Sequence, residues 1–432
     1  MYTVVISVPF RRISADVCEV PSDWGIALKL LRDSLGGRFG PLTVAAPEAP
    51  GKPGERISDQ APLALHARDD AIGFVRLGSS DWRPRHFWRN RRAVRRTLDD
   101  LAARSEVMHT GINNLYLPYA PMGFFAGRRA GKMSVFVLDT DIVMQLEQTA
   151  RGARLRKRAW TWLYARLYER TARTAIAAAD LVMLKGHQLH VRYGELNPRA
   201  KDFYNTSFGA GDVIGADLLE RKCAEVRRGE PLRALSIGRL IPRKGVDHTI
   251  RAVADAAARG VPVVLDILGG GPEEAALRKL TAELNAGHVV NFLGTVPYDA
   301  ALLKRIATYH LWLFTALSED TPRAMFDAMA GGCALLAYDL PFSRQVLADA
   351  RQEPPVPLGE PRGLADLLAR LHGDRARVAE LMTNCAREAP NHTAESWYAR
   401  RAKWTEEAYL ARNGRLPELP AREEIGSVVG AR

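Results

Sequence analysis

The 432 residues predict an α/β protein of two doubly wound, parallel-sheet domains, and three observations carry that expectation. Strand-length apolar runs alternate with helix-length amphipathic segments throughout the C-terminal half. The same alternation, less regular, fills the N-terminal half. A polar stretch, "ERKCAEVRRGEP" at 220–231, lies between them. Repeated alternation is what βαβ units require, because parallel neighbours need a crossover long enough to hold a helix.

In the N-terminal half the strand candidates are 3–9, 42–46, 72–77, 106–109, 134–138 and 180–184, with helices between them. The C-terminal half reads more clearly. "LRALSIGRL" passes through the turn "IPRKG" into the helix "VDHTIRAVADAAARG", followed by the strand "VPVVLDILGGGP", the helix "EEAALRKLTAELNAG" and the strand "HVVNFLG". A helix around "YDAALLKRIATY", the strand "LWLFTAL", a helix after Thr321 and the strand "CALLAYD" complete it. The expected organisation is a first domain at 1–220, a linker at 221–231 and a second domain at 232–393. A helix at 394–412, free to return to the first domain, and a loose tail at 413–432 follow.

With 47% apolar and 25% charged residues the chain has ordinary globular composition. No apolar run reaches the roughly 20 residues of a membrane span, and "YTVVISVPF" reads as a buried strand rather than a signal peptide, so a cytoplasmic location is expected. The isolated cysteines Cys18, Cys223, Cys333 and Cys385 read as reduced thiols. Charge is divided unevenly. Residues 1–230 carry 36 Lys and Arg against 25 Asp and Glu, a net +11, while 231–432 carry 25 against 24, a net +1. That asymmetry suits a domain laid on an anionic surface, and no nucleic-acid recognition motif accompanies it.

Two segments offer anion chemistry. "LSIGRLIPRKGVD" puts Gly238, Arg239 and Lys244 at the end of a strand and in the turn beyond, where open parallel sheets bind ligands. Arginine presents a planar fork, lysine a mobile charge, and glycine lets backbone approach a diphosphate. A solvated basic turn would have the same spacing. "LSEDTPRAMFDAMAGG" follows the strand "LWLFTA" and opens a helix, with Thr321 as N-cap and Pro322 as first helical residue. Glu319 lies in the preceding loop and Asp327 about two turns inside the helix, so both carboxylates can border one cleft and accept bonds from sugar hydroxyls.

In order, "GRLIPRKGVD", "LDILGGGPE", "VVNFLGTV" and "SEDTPRAMFDAMAGG" resemble the donor half of glycosyltransferase family 4, the group 1 enzymes, over roughly residues 232–390. The resemblance implies the GT-B architecture, two Rossmann-like domains facing across a cleft, and retaining transfer from a nucleotide-diphosphate sugar with no metal or other cofactor. It implies that Arg239 and Lys244 hold the diphosphate and that Glu319 faces the transferred sugar. It further implies that Asp327 binds the ribose, that backbone near Arg323 and Ala324 approaches sugar and phosphate, and that Phe292 and Gly294 lie at the base. Where the family has glutamate this chain has Asp327, one methylene shorter. Its first strand is followed by "PFRRISADV" rather than a glycine-rich loop, so Arg11 or Arg12 would supply charge there.

Where relatives often place a histidine near the sugar, "SVFVLDTDIV" offers Asp139 and Asp141, readable as acceptor or sugar contacts, as strand-end carboxylates, or as a metal-binding DxD. The metal is not expected, because Arg239 and Lys244 already supply positive charge. His109 in "EVMHTG" reads as a structural histidine or as a further acceptor contact. "DWRPRHFWRNRRAVRR" places seven arginines between 83 and 96 beside Trp82, Phe87 and Trp88, and "RGARLRKRAWTWLYARLYER" repeats the mixture. Such stretches suit an amphipathic element on anionic lipid, or a solvated helix face whose aromatics point inward.

The expected function is therefore retaining sugar transfer from a nucleotide sugar to a saccharide or lipid-linked saccharide in polysaccharide or glycoconjugate synthesis, peripherally on the inner face of the membrane. A catalytically silent nucleotide-sugar-binding scaffold subunit and a sugar-nucleotide epimerase are the alternatives.

Overall fold

The computed structural model describes residues 1–57, 61–81, 83–150, 154–318 and 323–417, without the side chains of 147–149. The chain divides into two units, Met1–Phe203 with Tyr398–Arg432, and Tyr204–Trp397.

The first unit contains, in chain order, β1 Tyr2–Val5, β2 Arg11–Arg12, β3 Val17–Pro21, α1 Ser22–Leu35, β4 Leu42–Glu48, β5 Pro62–His66, β6 Ile72–Ser79, α2 Pro84–Arg104, β7 Val107–Gly111, α3 Tyr119–Arg129, β8 Met133–Leu138, α4 Ile142–Ala150, α5 Leu155–Ala178, β9 Leu181–Lys185, α6 His187–Tyr193 and β10 Ala200–Phe203. Among the described residues seven of these strands form a parallel sheet in the order β10-β9-β8-β7-β1-β4-β6. All four residues of β1 are buried, as a strand covered on both faces requires, and the buried Thr3 hydroxyl meets the Ser105 hydroxyl at 2.7 Å. The order reverses beside β1, whose neighbours are β4 and β7.

The second unit runs α7 Ala216–Arg227, β11 Leu232–Ile237, α8 Val246–Ala258, β12 Val263–Leu268, α9 Glu274–Glu283, β13 Val290–Gly294, α10 Ala300–Ile306, β14 Leu311–Phe314, α11 Arg323–Ala330, β15 Ala334–Ala337, α12 Pro341–Asp349, α13 Pro361–Gly373 and α14 Arg375–Glu388. Its parallel sheet has the order β13-β12-β11-β14-β15 and reverses between β11 and β14. A last helix, α15 Ala394–Asn413, belongs to the first unit from Tyr398 onward. There Tyr409 donates to Glu106 Oε2 at 2.5 Å, Arg412 donates to Asp180 Oδ2 at 2.5 Å, and Arg38 pairs with Glu406 at 2.8 Å.

The expected boundary is corrected. Residues 221–231 are not a linker, because most of them continue α7, inside the second unit. Cys223 and Val226 enter the core, and the Lys222 ammonium is buried against the carbonyls of Gly331 and Gly332 at 2.7 and 3.2 Å, just beyond the C-terminal end of α11. A cation there satisfies carbonyls the helix leaves over and suits its dipole. Leu219, Cys223 and Val226 recur at helical spacing, a signal masked by the charged residues between them. The antiparallel sheet β2-β3-β5 is also absent from the sequence reading. It closes over a buried ion pair, Arg11 to Glu19 at 3.1 Å, whose charges make the segment read as polar loop. All four cysteines are free and buried.

Candidate functional site

In an open parallel sheet, neighbouring connections diverge where the strand order reverses and leave a crevice at the strands' carboxyl ends. In the second unit that point lies between the loops after β11 and β14. Three loop starts are zipped together there through backbone. Gly238 N–H donates to Leu268 at 3.0 Å, Leu240 to Gly270 at 3.0 Å, and Gly269 to Gly294 at 2.8 Å. Gly269 has φ of +145°, and a β-carbon on it would lie 1.8 Å from the Gly238 carbonyl oxygen, so no other residue permits this approach. The "LGGG" run is thus a packing requirement of the site, legible in the sequence only as part of a motif.

Beyond Gly238 the chain passes exposed Arg239 and a 3₁₀ turn, Pro242–Lys244, to Gly245 at φ of +60°. A β-carbon on Gly245 would meet the Thr315 carbonyl oxygen at 2.1 Å. The Thr315 hydroxyl donates to the Gly245 carbonyl at 2.7 Å and meets the Thr249 hydroxyl at 2.6 Å, while Leu317 N–H donates to Arg243 at 2.9 Å. The loops after β11 and β14 are therefore tied to each other. The Lys244 side chain runs beside Gly238, its Cε 3.9 Å from where a β-carbon on Gly238 would stand. Gly238, Arg239 and Lys244 thus share one strand-end turn, as the sequence places them. Glu319, Thr321 and Pro322, and Trp82 in the first unit, lie outside the described residues.

Asp327 is not an open carboxylate. It is 4% exposed on α11, and its Oδ1 accepts from the Tyr298 hydroxyl at 2.9 Å. Burial pushes its pKa up to about 6, against the Tyr298 hydrogen bond and the nearby Arg323 charge. Tyr298, in the loop after β13, has its own pKa raised by burial and by the adjacent Asp327. No feature of the sequence singled out this tyrosine. Arg323 donates to the Ser207 hydroxyl at 3.0 Å, and Ala324 follows it in the first turn of the described helix. Phe292 alternates away from exposed Leu293, packs against the core and lies 4.5 Å under the Arg278 guanidinium, so its ring is committed to the sheet face. Gly294 remains at the strand end, with φ of +71°.

In the first unit the reversal beside β1 holds a polar pocket of about 390 Å³, bordered by Ser7, Arg11, Ser80, Asn114 and Tyr119. The Tyr119 hydroxyl and Arg11 Nε are buried there with no hydrogen-bond partner among the described residues. Burial raises the Tyr119 pKa to about 12, so it keeps its proton to donate. The remaining Arg11 donors serve Glu19, Glu55 and Pro50, which fixes the side chain and removes it as a free charge. Asp139 is exposed at the end of β8, whereas Asp141 caps Met144 N–H at 2.9 Å and pairs with Arg192 at 2.9 Å, so the two do not form a DxD grip. His109 Nδ1 meets the Tyr2 hydroxyl at 2.8 Å. Burial and the Arg401 charge hold its pKa down to about 3, so the imidazole is neutral.

The family model described as glycosyl transferases group 1 matches residues 220–392, which lie wholly inside the second unit and include both tied loops. Residues 220–392 belong to the group 1 glycosyl transferases. A phosphatidyl-myo-inositol mannosyltransferase of Mycolicibacterium smegmatis is 34% identical over 139 residues, 32% of this chain and 35% of that protein. The GtfA subunit of the UDP-N-acetylglucosamine–peptide N-acetylglucosaminyltransferase of Streptococcus pneumoniae is 25% identical over 123 residues, 28% of this chain and 24% of that one. The matched part therefore spans about a quarter to a third of these relatives. Across the whole fold, HepE of Anabaena, solved with UDP, superposes with a TM-score of 0.62 at 14% identity, covering 94% of this chain and all of that one (100%). Sucrose-phosphate synthase of Thermosynechococcus elongatus gives 0.57 at 14% identity, covering 95% and 99%. The group 1 domain and its companion unit thus have the GT-B fold.

Proposed function

We propose that the chain transfers a sugar, with retention, from a nucleotide-diphosphate sugar to a saccharide or lipid-linked saccharide in polysaccharide or glycoconjugate synthesis. The observation that carries this reading is the strand-end turn of the group 1 domain, where Gly238, Arg239 and Lys244 stand beside the zipped "LGGG" loop. The bond from the anomeric carbon to the diphosphate oxygen breaks and its electron pair stays on the diphosphate. The acceptor hydroxyl oxygen bonds to that carbon, and its proton passes to the departing phosphate. Charge growing on the diphosphate is stabilised by Arg239 and Lys244, so the catalysis is electrostatic. Glu319 is assigned to the transferred sugar. Asp327 serves the ribose through Tyr298, whose hydroxyl it orients. The polar pocket beside β1 is assigned to the acceptor saccharide, with Tyr119 and Arg11 as donors.

Attachment to an anionic membrane surface belongs to the same proposal. Helices α2 and α5 expose Trp88, Trp160, Trp162, Leu163 and Leu167 among arginines, and each basic residue near such a surface contributes about 1 kcal/mol. No described helix is long and apolar enough to cross a membrane.

UDP-sugars, tested first because HepE was solved with UDP, and then other nucleotide sugars should raise the melting temperature and release nucleoside diphosphate slowly in water. A nucleotide sugar that binds without any such release would favour the silent scaffold instead. Vesicle co-sedimentation should fall with added salt and when Arg89, Arg91, Arg92, Arg95 and Arg96 become Gln. Equal binding to neutral and anionic vesicles would remove the membrane part alone.

A further inference from the structure

Helices α2 and α3 pack side by side and leave a groove of about 580 Å³ in the first unit, within the size range of small-ligand clefts. Its floor is apolar: Phe87 and Leu98 are buried, Met122 is half-buried, and exposed Trp88 and Phe125 stand at its edges. Its rim is basic, formed by Arg91, Arg92, Arg95 and Arg129. Asp99 takes up part of that charge, pairing with Arg129 at 2.5 Å and Arg95 at 3.5 Å. Among the described residues neither Arg91 nor Arg92 is paired with a carboxylate. Arg91 instead donates to the Trp88 carbonyl at 2.6 Å and lies 5.9 Å from the Trp88 ring.

This groove adjoins the polar pocket beside β1. Leu117 and Tyr119 line the pocket while Pro118, between them in sequence, lines the groove. Across that turn the Phe87 ring meets the Tyr119 ring edge-on, with centroids 5.3 Å apart. An apolar trough, a basic rim and a polar pocket thus follow one another across a wall one turn thick. A membrane-facing patch needs only the first two, and a pocket for a free saccharide needs only the third.

We infer that the α2–α3 groove receives the hydrocarbon chain of an amphiphilic acceptor, with its acidic linkage held by the arginine rim and its saccharide in the pocket at Tyr119. The inference rests on the sugar-transfer reading and narrows its acceptor to the lipid-linked class. Chain and saccharide are recognised by two adjoining sites that meet at Pro118, so affinity depends on chain length as well as on charge.

Dodecyl phosphate, kept below its micelle concentration, and butyl phosphate serve as calorimetric probes of the full-length protein. Dodecyl phosphate should bind one per chain, with butyl phosphate about tenfold or more weaker. Met122→Trp, which fills the trough, and Phe125→Asp, which charges its edge, should each weaken dodecyl phosphate to the level of butyl phosphate while leaving UDP binding unchanged. Circular dichroism and melting curves check that both variants fold, and Phe125, being partly exposed, is the safer site. Equal affinity for the two phosphates would reduce the site to an anion contact and overturn the inference, as would unaltered dodecyl phosphate binding in both folded variants. Binding to anionic vesicles without binding of monomeric dodecyl phosphate would overturn it too, by showing a surface without a chain groove. Loss of UDP binding in an Arg239 or Lys244 variant bears on the donor site alone, so the two readings fail separately.

Discussion

The carboxyl group of Asp327 sits where water is largely excluded, yet it must either carry a charge beside Tyr298 or a proton. Its pKa of about 6, against an ordinary 3.8, means the folded state binds that proton more tightly than the unfolded chain does. Its contribution to stability is therefore complete below about pH 3.8 and is lost as pH rises through about 6. Asp327→Asn keeps an acceptor for Tyr298 and has no charge to bury, so the stability difference between variant and wild type should move in the variant's favour by about 2–3 kcal/mol across that window. Urea melts at several pH values measure this, and a difference that does not change with pH would show that Asp327 titrates normally. At the strand-end turn the expectation is kinetic. Arg239→Ala and Lys244→Ala should each lower kcat/KM by about tenfold to a hundredfold, since charge-assisted bonds to a diphosphate are lost in both bound and departing forms. Unchanged kinetics in both would withdraw the phosphate assignment.

Among the elements, α7 depends on a charge in an unusual place. Lys222 lends its ammonium to the Gly331 and Gly332 carbonyls inside the core, and burial lowers its pKa. Lys222→Met leaves those carbonyls without their donor and should cost about 2–4 kcal/mol, whereas Arg221→Met on the exposed side should cost less than about 0.5 kcal/mol. Chemical denaturation of the pair tests this, and equal stabilities would reduce Lys222 to a surface lysine. The same residue shows where sequence reading stops. The second unit's five strands were legible because each is a short apolar run ended by a turn, and the strand-end placement of Gly238, Arg239 and Lys244 followed directly. Lys222 points inward only because two carbonyls await it, and that appointment is made by α11, 109 residues further on. Tyr298 escaped for the same reason, since its partner Asp327 is 29 positions away. The arginines of α2 were plain in the sequence, but the groove beside them also needs Met122 and Phe125 from α3.

At the scale of the whole chain, the first unit is assembled from both ends of the sequence. Arg401, buried on α15, lies 3.9 Å over the Phe203 ring, and Tyr409 packs against Phe39 at 5.2 Å. Ending the chain at Trp397 should therefore expose apolar surface in the first unit, read as added dye binding and a lower or broadened thermal transition. A truncated protein with an unchanged melting profile would show that α15 is dispensable there. The polar stretch before the first strand of the second unit placed the division near 220–231, whereas packing sets it at Phe203 and Tyr204, where contacts rather than hydrophilicity change sides.

The bond from Tyr409 to Glu106 spans 303 positions, so it cannot form until all the residues between them have been made. At about 5–20 residues per second of synthesis, Glu106 and the sheet around it wait roughly 15–60 seconds for α15 to emerge. The second unit is continuous in sequence and has no such wait. During translation the order of completion is therefore inverted relative to the usual N-terminal-first rule. The nascent first unit, its basic and aromatic helices already made, spends that interval unfinished on the ribosome.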